Sequence, residues 1–236
     1  MKIRIGKFLA NAGYCSRRDA EKLISLKKIL INNQICEHPS QKVGKEDLVK
    51  VDNKVIYIKE KTRLWKLHKP IKYICSTKDH LKRKKIFDLL PKNLKNLISI
   101  GRLDYMSEGL ILLTNNGDLS RHFELPSNKF ERTYKVCLKG NIQHKSLIKI
   151  NKGLIIGGIR YNKIKVNYYK KIGNFNWLIF KLKEGKNREI RNICSFFSWD
   201  IVKLIRVQYG PYKLGKMKVG EISEINIGEN DKNYWR

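Results

Sequence analysis

Residues 99–118 read SIGRLDYMSEGLILLTNNGD, a short polar loop followed by an apolar run of strand length. The run from Gly109 to Thr114 is bounded by glycine and by the turn sequence NNGD, which is typical of a buried strand. Asp104 lies in the loop that leads into this strand. Loops on a rigid sheet often carry reactive side chains, so two interpretations stand. Asp104 either forms a turn by bonding its own backbone or serves as a reactive carboxylate.

An arginine accompanies this aspartate. Arg102 stands two residues before Asp104, and on an extended chain both side chains point to the same side. A nearby guanidinium group keeps a carboxylate ionised. An ionised aspartate can act as a nucleophile, as a base or as a stabiliser of a sugar cation.

The net charge of the chain is strongly positive. Its 236 residues include 51 Lys and Arg against 21 Asp and Glu, a formal net charge of +30, while 42% of residues are hydrophobic, enough for a packed core. Such a charge excess destabilises the compact state by self-repulsion, which a polyanionic partner relieves. Nucleic acid is the first candidate and an anionic membrane surface the second. The basic residues are spread along the whole chain, which favours a broad electrostatic footprint.

Several classes of protein are disfavoured by the sequence. No stretch approaches the roughly 18 consecutive apolar residues of a membrane span. The five cysteines form no CxxC and have no His at ligand spacing, which favours free thiols in a reducing cytoplasm over disulfides or zinc. A dinucleotide-binding fingerprint and a phosphate-binding P-loop are also missing.

The N-terminal part is predicted to form two short helices that feed a small sheet. Apolar residues recur at helical spacing from Ile5, Gly13 supplies a helix stop, and Ser16 caps a second helix. The segments ILINNQIC and LVKVDNKVI indicate strands around Asn-Asn and Asp-Asn turns. Arg17 and Arg18 occupy the first turn of the second helix, where the dipole disfavours cations. They form either a solvated helix start or a phosphate site.

The segment ERTYKV, residues 131–136, is predicted to be an alternating strand. Tyr134 then shares a face with Val136 under the period-two rule. The tyrosine is either a core residue or a ring that stacks on an extruded base.

The segment LKEGKNREIRNI carries two more arginines. A strand is predicted to end at Leu182 and a helix to begin near Asn187, which places Arg188 and Arg191 on one helical face. Three interpretations of these arginines stand: they form surface salt bridges, they bind a phosphate, or they pair with Asp104.

Three further expectations concern local structure. YICST, residues 73–77, is predicted to be a buried strand, and KIFDLLP, residues 85–91, one turn of helix ended by proline. Asp118 is expected to be the N-cap of a helix after the NNGD turn.

These segments together resemble two known families. KFLANAGYCSRRDAEKLI, ILINNQIC and VKVDNKVI are similar to an S4 RNA-binding domain, although the usual glycine before the β-run is missing. SIGRLDYMSEGLILLTNNGDL, ERTYKV, LKEGKNREIRNI and LIRVQYGPYKLGKMKVGE resemble, in order and spacing, the RsuA/RluB-type pseudouridine synthases. The segments HKPIKYICSTKD and KIFDLLP fit as well, so the resemblance covers essentially the whole chain.

The resemblance implies a mixed α+β and α/β fold. It divides the chain into an S4 RNA-binding domain over residues 1–58, a linker over 59–63 and a pseudouridine synthase catalytic domain over 64–236. The catalytic domain is expected to contain a mixed, largely antiparallel sheet flanked by helices.

The resemblance also assigns roles to residues. Asp104 corresponds to the essential catalytic aspartate, Tyr134 to the tyrosine that packs against the target base, and Arg191 to the basic residue that pairs with the carboxylate. Arg102, with Arg188, is expected to contact RNA. In the S4 domain the RNA-binding surface is expected at Ser16, Arg17 and Arg18. This chain departs from the family pattern at Met106, where Asn or Asp is usual, and at Lys72, where Gly is common.

The implied activity is isomerisation of a specific uridine in ribosomal RNA to pseudouridine, without cofactor or metal. The form GKNREIR, with arginine at position 191, favours the large-subunit enzymes, which act on 23S RNA. The expected partner is ribosomal RNA or a pre-ribosomal particle, not a membrane, and the protein is expected to be a monomer in the bacterial cytoplasm. The alternative is a non-catalytic S4-containing protein that binds RNA or assists ribosome assembly.

Overall fold

A computed structural model describes residues 2–58, 61–77, 79–94 and 96–228, so residues 59 and 60 of the predicted linker lie outside the described part. The chain divides into two compact units. The first comprises residues 1–63, 91–98 and 114–117, and the second comprises residues 64–90, 99–113 and 118–236. The predicted domain limits therefore stay a prediction.

The N-terminal elements are two short helices and six short strands. They are β1 (Ile3–Arg4), α1 (Ile5–Asn11), α2 (Arg17–Ser25), β2 (Ile29–Ile31), β3 (Gln34–Ile35), β4 (Lys42–Val43), β5 (Val49–Val51) and β6 (Lys54–Ile56). Four strands form an antiparallel sheet in the order β3-β2-β5-β6, and β1 pairs with β4. The Asn-Asn and Asp-Asn turns are confirmed, since all four residues have positive φ.

Helix α2 begins as its sequence predicts. The Oγ atom of Ser16 accepts a hydrogen bond from the Asp19 backbone N–H at 3.1 Å. The helix is followed by Lys27 with φ of 54°, shortly before β2. A lysine here adopts the left-handed conformation that glycine takes at lower cost, so the missing glycine leaves the turn intact. Ile5 and Leu9 of α1 pack with Ile24 of α2 in the core of this unit.

The rest of the described chain contains eleven strands and three α-helices. The elements are β7 (Leu64–Lys69), β8 (Ile98–Ile100), β9 (Glu108–Thr114), α3 (Gly117–Glu124), β10 (Arg132–Lys139), α4 (His144–Lys152), β11 (Leu154–Ile156), β12 (Ile159–Tyr161), β13 (Lys165–Ile172), β14 (Phe175–Leu182), α5 (Glu189–Phe196), β15 (Asp200–Tyr209), β16 (Tyr212–Lys213) and β17 (Ile222–Ile225). Short 3₁₀ turns cover Ile86–Leu89 and Pro126–Asn128.

A nine-stranded sheet dominates this part of the protein. Its main order is β13-β14-β10-β15-β9-β7-β17, with β16 beside β15 and β8 beside β9. Strands β15 and β9 run parallel, whereas β13–β14, β14–β10, β10–β15 and β7–β17 are antiparallel. The expectation of a mixed, largely antiparallel sheet is confirmed.

One face of this sheet carries α4 and α5. Leu147 of α4 and Ile193 of α5 belong to the same buried cluster as Val136, Leu178 and Phe180 of the sheet. The alternating apolar residues of β10 and β14 therefore point toward these helices.

Several local predictions were correct and others were wrong. The segment GLILLT lies in β9, and residues 86–89 of KIFDLLP form a 3₁₀ turn. YICST forms no strand, because Ile74 makes only an isolated bridge with Lys85. Asp118 is not an N-cap, since α3 already begins at Gly117.

Candidate active site

A cleft with a volume of about 1030 Å³ opens in the second unit. Its lining includes all five residues that the sequence assigns to this region, namely Arg102, Asp104, Tyr134, Arg188 and Arg191. These residues come from three separate segments of the chain, so the fold brings the predicted motifs together.

Asp104 contacts Arg191 directly. The Nε atom of Arg191 donates a hydrogen bond to Oδ2 of Asp104 at 3.1 Å, and its Nη2 donates to the backbone oxygen of Met106 and to Oγ of Ser107, both at 3.0 Å. One guanidinium group thus binds the carboxylate and the turn that follows it. The side chain of Asp104 is 31% exposed and that of Arg191 is 15% exposed. The carboxylate is held in place and still faces the cleft.

Arg188 reaches the same carboxylate from outside the helix. Its Nη1 lies 4.0 Å from Oδ2 of Asp104. Helix α5 begins at Glu189, and Arg188 is its N-cap with φ of 51°. The prediction that Arg188 and Arg191 share a helical face is wrong as to the helix, because the left-handed conformation of Arg188 places it before the first helical residue, but both guanidinium groups still reach Oδ2 of Asp104. Within the described chain these two arginines supply the guanidinium groups at Asp104, while Arg102 is an exposed residue of the cleft wall.

Lys69, at the end of β7, supports the Asp104 loop. It is fully buried, and its Nζ donates hydrogen bonds to the backbone oxygens of Ser107 at 2.8 Å and Pro70 at 2.9 Å. Burial lowers the pKa of Lys69 to about 8, against the opposing influence of Cys75 and Asp104. Sequence reasoning missed this residue, although a lysine that ends a mostly apolar strand was a usable signal.

Lys72 belongs to the same support. Its φ is 62°, and its backbone N–H donates to the Tyr105 oxygen at 2.7 Å. The preference for glycine at this position follows from the left-handed backbone, which lysine adopts at a modest energetic cost. The departure from the family pattern therefore preserves the contact with the loop.

Tyr134 stands on the cleft side of the sheet. It lies opposite Phe180 of β14 and Arg206 of β15, and it packs against the buried cluster that contains Val136. It is half-buried and lines the cleft. The shared face with Val136 is confirmed. Tyr134 both packs against the core and lines the cleft.

Two arginines and a tyrosine build another part of the cleft wall. The guanidinium carbons of Arg132 and Arg206 lie 4.6 and 5.0 Å from the ring centroid of Tyr209. Arg206 is 2% exposed, and its Nε donates to the Leu110 oxygen at 2.7 Å. Burial raises the pKa of Tyr209, although both arginines act against the shift. The roles of these three residues were not predicted from the sequence.

Two carboxyl groups lie together beside the cationic end of the cleft. Glu189 is 5% exposed, and its Oε2 accepts a hydrogen bond from the Lys186 backbone N–H at 3.2 Å. Burial, and then the charge of Glu184 and a hydrogen bond with it, raise the pKa of Glu189 to about 7. Glu184 accepts hydrogen bonds from the backbone and the side chain of Asn162, both at 2.8 Å. The pair holds the segment before α5 in place. Arg188 lies at the end of that segment, and Arg191 lies in the first turn of α5.

The remaining predicted residues belong to the first unit. Ser16, Arg17 and Arg18 lie at the start of α2 and are exposed there. The described residues contain no group of three or more His, Cys, Asp or Glu side chains that could hold a metal ion. Over the same residues, none of the helices is long and apolar enough to span a membrane.

Comparison with known proteins agrees with this architecture. The sequence profile of the RNA pseudouridylate synthase family matches residues 63–196, and that of the S4 domain matches residues 3–49. A crystal structure of a pseudouridylate synthase superposes with a TM-score of 0.67 and 24% sequence identity, covering 95% of this chain and 96% of the other. That likeness shows the fold.

Curated relatives are similar over nearly the full length. An uncharacterized RNA pseudouridine synthase of Rickettsia typhi is 45% identical over 224 residues, covering 94% of this chain and 91% of the relative. A protein of Buchnera aphidicola subsp. Schizaphis graminum named ribosomal large subunit pseudouridine synthase B is 36% identical over 236 residues, covering 96% and 91%. With its cleft, its profile match and these relatives, the chain belongs to the RNA pseudouridylate synthase family and carries an N-terminal S4 domain.

Proposed function

We propose that this protein converts a specific uridine of large-subunit ribosomal RNA to pseudouridine, with Asp104 as the catalytic carboxylate. The observation that carries the proposal is the hydrogen bond of 3.1 Å from Arg191 to Asp104 inside a cleft of about 1030 Å³. A carboxylate with a fixed cationic partner and an open side is suited to attack or stabilise an electron-poor sugar.

The reaction needs few groups. The bond between N1 of uracil and C1′ of ribose breaks, the detached base turns, and a bond forms between C5 and C1′. C5 loses its hydrogen as a proton and N1 gains a proton, so atoms and electrons balance without a redox partner. Asp104 acts at the sugar as nucleophile or base, and Arg191 holds the carboxylate charged and oriented.

Tyr134 and the arginines would handle the nucleotide. A base inside a stack or helix must first be extruded, which costs a few kcal/mol. Tyr134 offers a ring at the cleft wall on which the base can stack. The exposed Arg102 and Arg188 are positioned to contact phosphate or sugar.

The target assignment is supported by sequence similarity. The Buchnera relative, 36% identical, is named for the ribosomal large subunit. The S4 domain, with Ser16, Arg17 and Arg18 exposed at a helix start, would bind a structured part of the same RNA. We place the protein, as a monomer, on ribosomal RNA or a pre-ribosomal particle in the bacterial cytoplasm.

The test is isomerisation by the Asp104→Asn variant. Release of hydrogen from C5 of uridine in 23S RNA is expected to fall at least about a thousandfold, because the amide can neither attack the sugar nor take a proton. RNA affinity should stay within a few-fold of wild type. Asp200→Asn, an exposed aspartate at the start of β15, serves as the control and should retain full activity.

Two results would contradict the proposal. If the Asp104→Asn variant released hydrogen from C5 at the wild-type rate, Asp104 would not be the catalytic carboxylate. RNA binding by the wild-type protein without any pseudouridine formation, mapped in ribosomal RNA with and without the protein, would favour the non-catalytic alternative.

A further inference from the structure

The face of the large sheet that points away from α4 and α5 has a distinctive composition. Cross-strand neighbours share a face, so the register places Lys165 beside Lys181 in one row and Lys170, Trp177 and Lys203 in another. Lys135 lies in the row between them, opposite Ile179 of β14 and Ile205 of β15. We call this surface, made by Lys135, Lys165, Lys170, Trp177, Lys181 and Lys203, the reverse face.

The reverse face is more open to solvent than the opposite one, although Cys137, between Trp177 and Lys203, is buried. Leu178 and Phe180 are buried in the cluster that α4 and α5 cover. Trp177 and Ile179, their neighbours on the same strand, are only partly buried. Lys165 is exposed on the edge strand β13.

An aromatic ring is presented among these lysines. Strand β13 has an irregular register between Tyr168 and Lys170, which leaves Tyr169 without a partner position. Tyr169 is 51% exposed, and the ammonium groups of Lys135 and Lys170 lie 5.3 and 5.6 Å from its ring centroid. Bulges of this kind redirect a side chain, here an aromatic one, out of the regular sheet.

The charges on the reverse face are unfavourable for the free protein. Lys165 and Lys181 stand directly opposite each other, and like charges in that position destabilise a sheet. Glu131 relieves part of this, with an oxygen 3.8 Å from the Lys181 ammonium group. A polyanion would remove the remaining repulsion.

We propose that the reverse face binds a single-stranded segment of RNA outside the target nucleotide, with phosphates on the lysine rows and a base stacked on Tyr169. Successive rows of side chains on one face of a sheet lie about 7 Å apart. Such rows of ammonium groups with an exposed aromatic ring are the components of a stacking platform for single-stranded nucleic acid. A membrane surface has charge but no bases to stack. The proposal rests on the proposed function only in that the natural substrate is RNA.

The experiment measures binding of the full chain to a fluorescent twelve-nucleotide oligouridylate over a range of salt concentrations. Lys165→Gln, Lys170→Gln and Lys203→Gln together are expected to weaken binding at least about tenfold and to flatten the slope of log K against log salt by about 2. The matched Lys→Arg triple keeps the charge and should stay within threefold. Lys213→Gln, Lys216→Gln and Lys218→Gln, three exposed lysines elsewhere on the unit, should also stay within threefold.

The Tyr169→Leu variant tests whether a base stacks on the ring, which contacts with phosphates alone would not require. Loss of the ring should weaken oligouridylate binding about fivefold or more without changing the salt slope, because stacking involves no counterion release. Unchanged binding by Tyr169→Leu, or equal losses for the two glutamine triples, would overturn the proposal.

These results are independent of catalysis. If the wild-type protein forms no pseudouridine, the proposed function fails while the binding results keep their meaning. If binding is unaffected at the reverse face while Asp104→Asn loses activity, only this inference fails.

Discussion

Asp104 depends on several residues that fix its carboxylate and its loop in place. Arg191 binds both the carboxylate and the turn after it, and Lys69 holds the Ser107 oxygen in the same turn. A loop fixed by several hydrogen bonds keeps a reacting group close to its productive geometry. Met106 itself, the unusual residue of the loop, is half-exposed and contributes a backbone oxygen, which any residue there would supply.

At the same scale, Glu189 makes the stability of the protein depend on pH. Its pKa is raised from 4.5 to about 7 on folding, so the folded protein holds this proton more tightly than the unfolded chain does. This contribution to the free energy of unfolding is present below about pH 4.5 and is lost as pH rises through about 7. Glu189→Gln, which keeps the hydrogen bond donor and cannot ionise, should remove that loss, a relative gain on the order of 2 kcal/mol at pH 8.

Urea denaturation at several pH values between 4 and 8 measures the effect. Glu46→Gln, an exposed glutamate in the other unit, is the control and should follow the wild type at every pH. A constant difference between Glu189→Gln and wild type across the range would show that folding does not raise the pKa of Glu189.

At the scale of elements, the contact between β9 and β15 positions the site. These two strands pair in parallel, with Gly109 opposite Arg206. A Cβ atom on Gly109 would lie 2.3 Å from the Arg206 backbone oxygen, and φ at this glycine is +112°. Glycine is required because the strand that follows the Asp104 loop runs too close to its neighbour for any side chain.

We therefore expect Gly109→Ala to lower the free energy of unfolding by about 3 kcal/mol or more, from backbone strain and from separation of β9 and β15. Gly173→Ala is the matched control. Gly173 also has positive φ, +54°, but has no atom within 4 Å of its Cβ position. It should cost about 1 kcal/mol. Equal losses for the two variants in urea denaturation would refute the close approach.

At the scale of the whole molecule, the charge excess is explained by an RNA partner. The formal charge of +30 is distributed over both compact units. Many separate phosphate contacts give a binding free energy that depends steeply on salt. Each basic group at an RNA surface should then account for a measurable share of that dependence.

Replacing Arg17 and Arg18 together with alanine tests this for the S4 domain. RNA binding should weaken, and the slope of log K against log salt should decrease in magnitude by about 1 to 2, since two phosphate contacts are lost. Lys45→Ala with Lys54→Ala removes the same charge from exposed positions in the same unit and should change the slope less. Equal slopes for the two double variants would leave the start of α2 without a special role.

Much of the local structure follows from the sequence because its signals are local. Ser16 caps α2, the Asn-Asn turn reverses the chain, and the apolar run before residue 115 becomes a buried strand. The errors arose where a distant contact overrides the local pattern. YICST reads as a strand, yet Cys75 instead contacts Leu103 of the Asp104 loop, with the Leu103 N–H donating to its Sγ at 3.4 Å.

The sequence alone predicted an RNA partner, the residues that carry the motifs and the family that the chain resembles, because charge, turn chemistry and motif spacing are properties of the chain itself. The resemblance already implied that Arg191 pairs with Asp104, and the tertiary structure decided that Arg188 also reaches this carboxylate while Arg102 lies on the cleft wall. Arg191 lies 87 positions away, whereas Arg102, two positions away, forms the exposed wall. It also decided that lysines from four strands share one open face. Contacts between residues far apart in sequence depend on strand register and helix starts, and neither is fixed by any short segment.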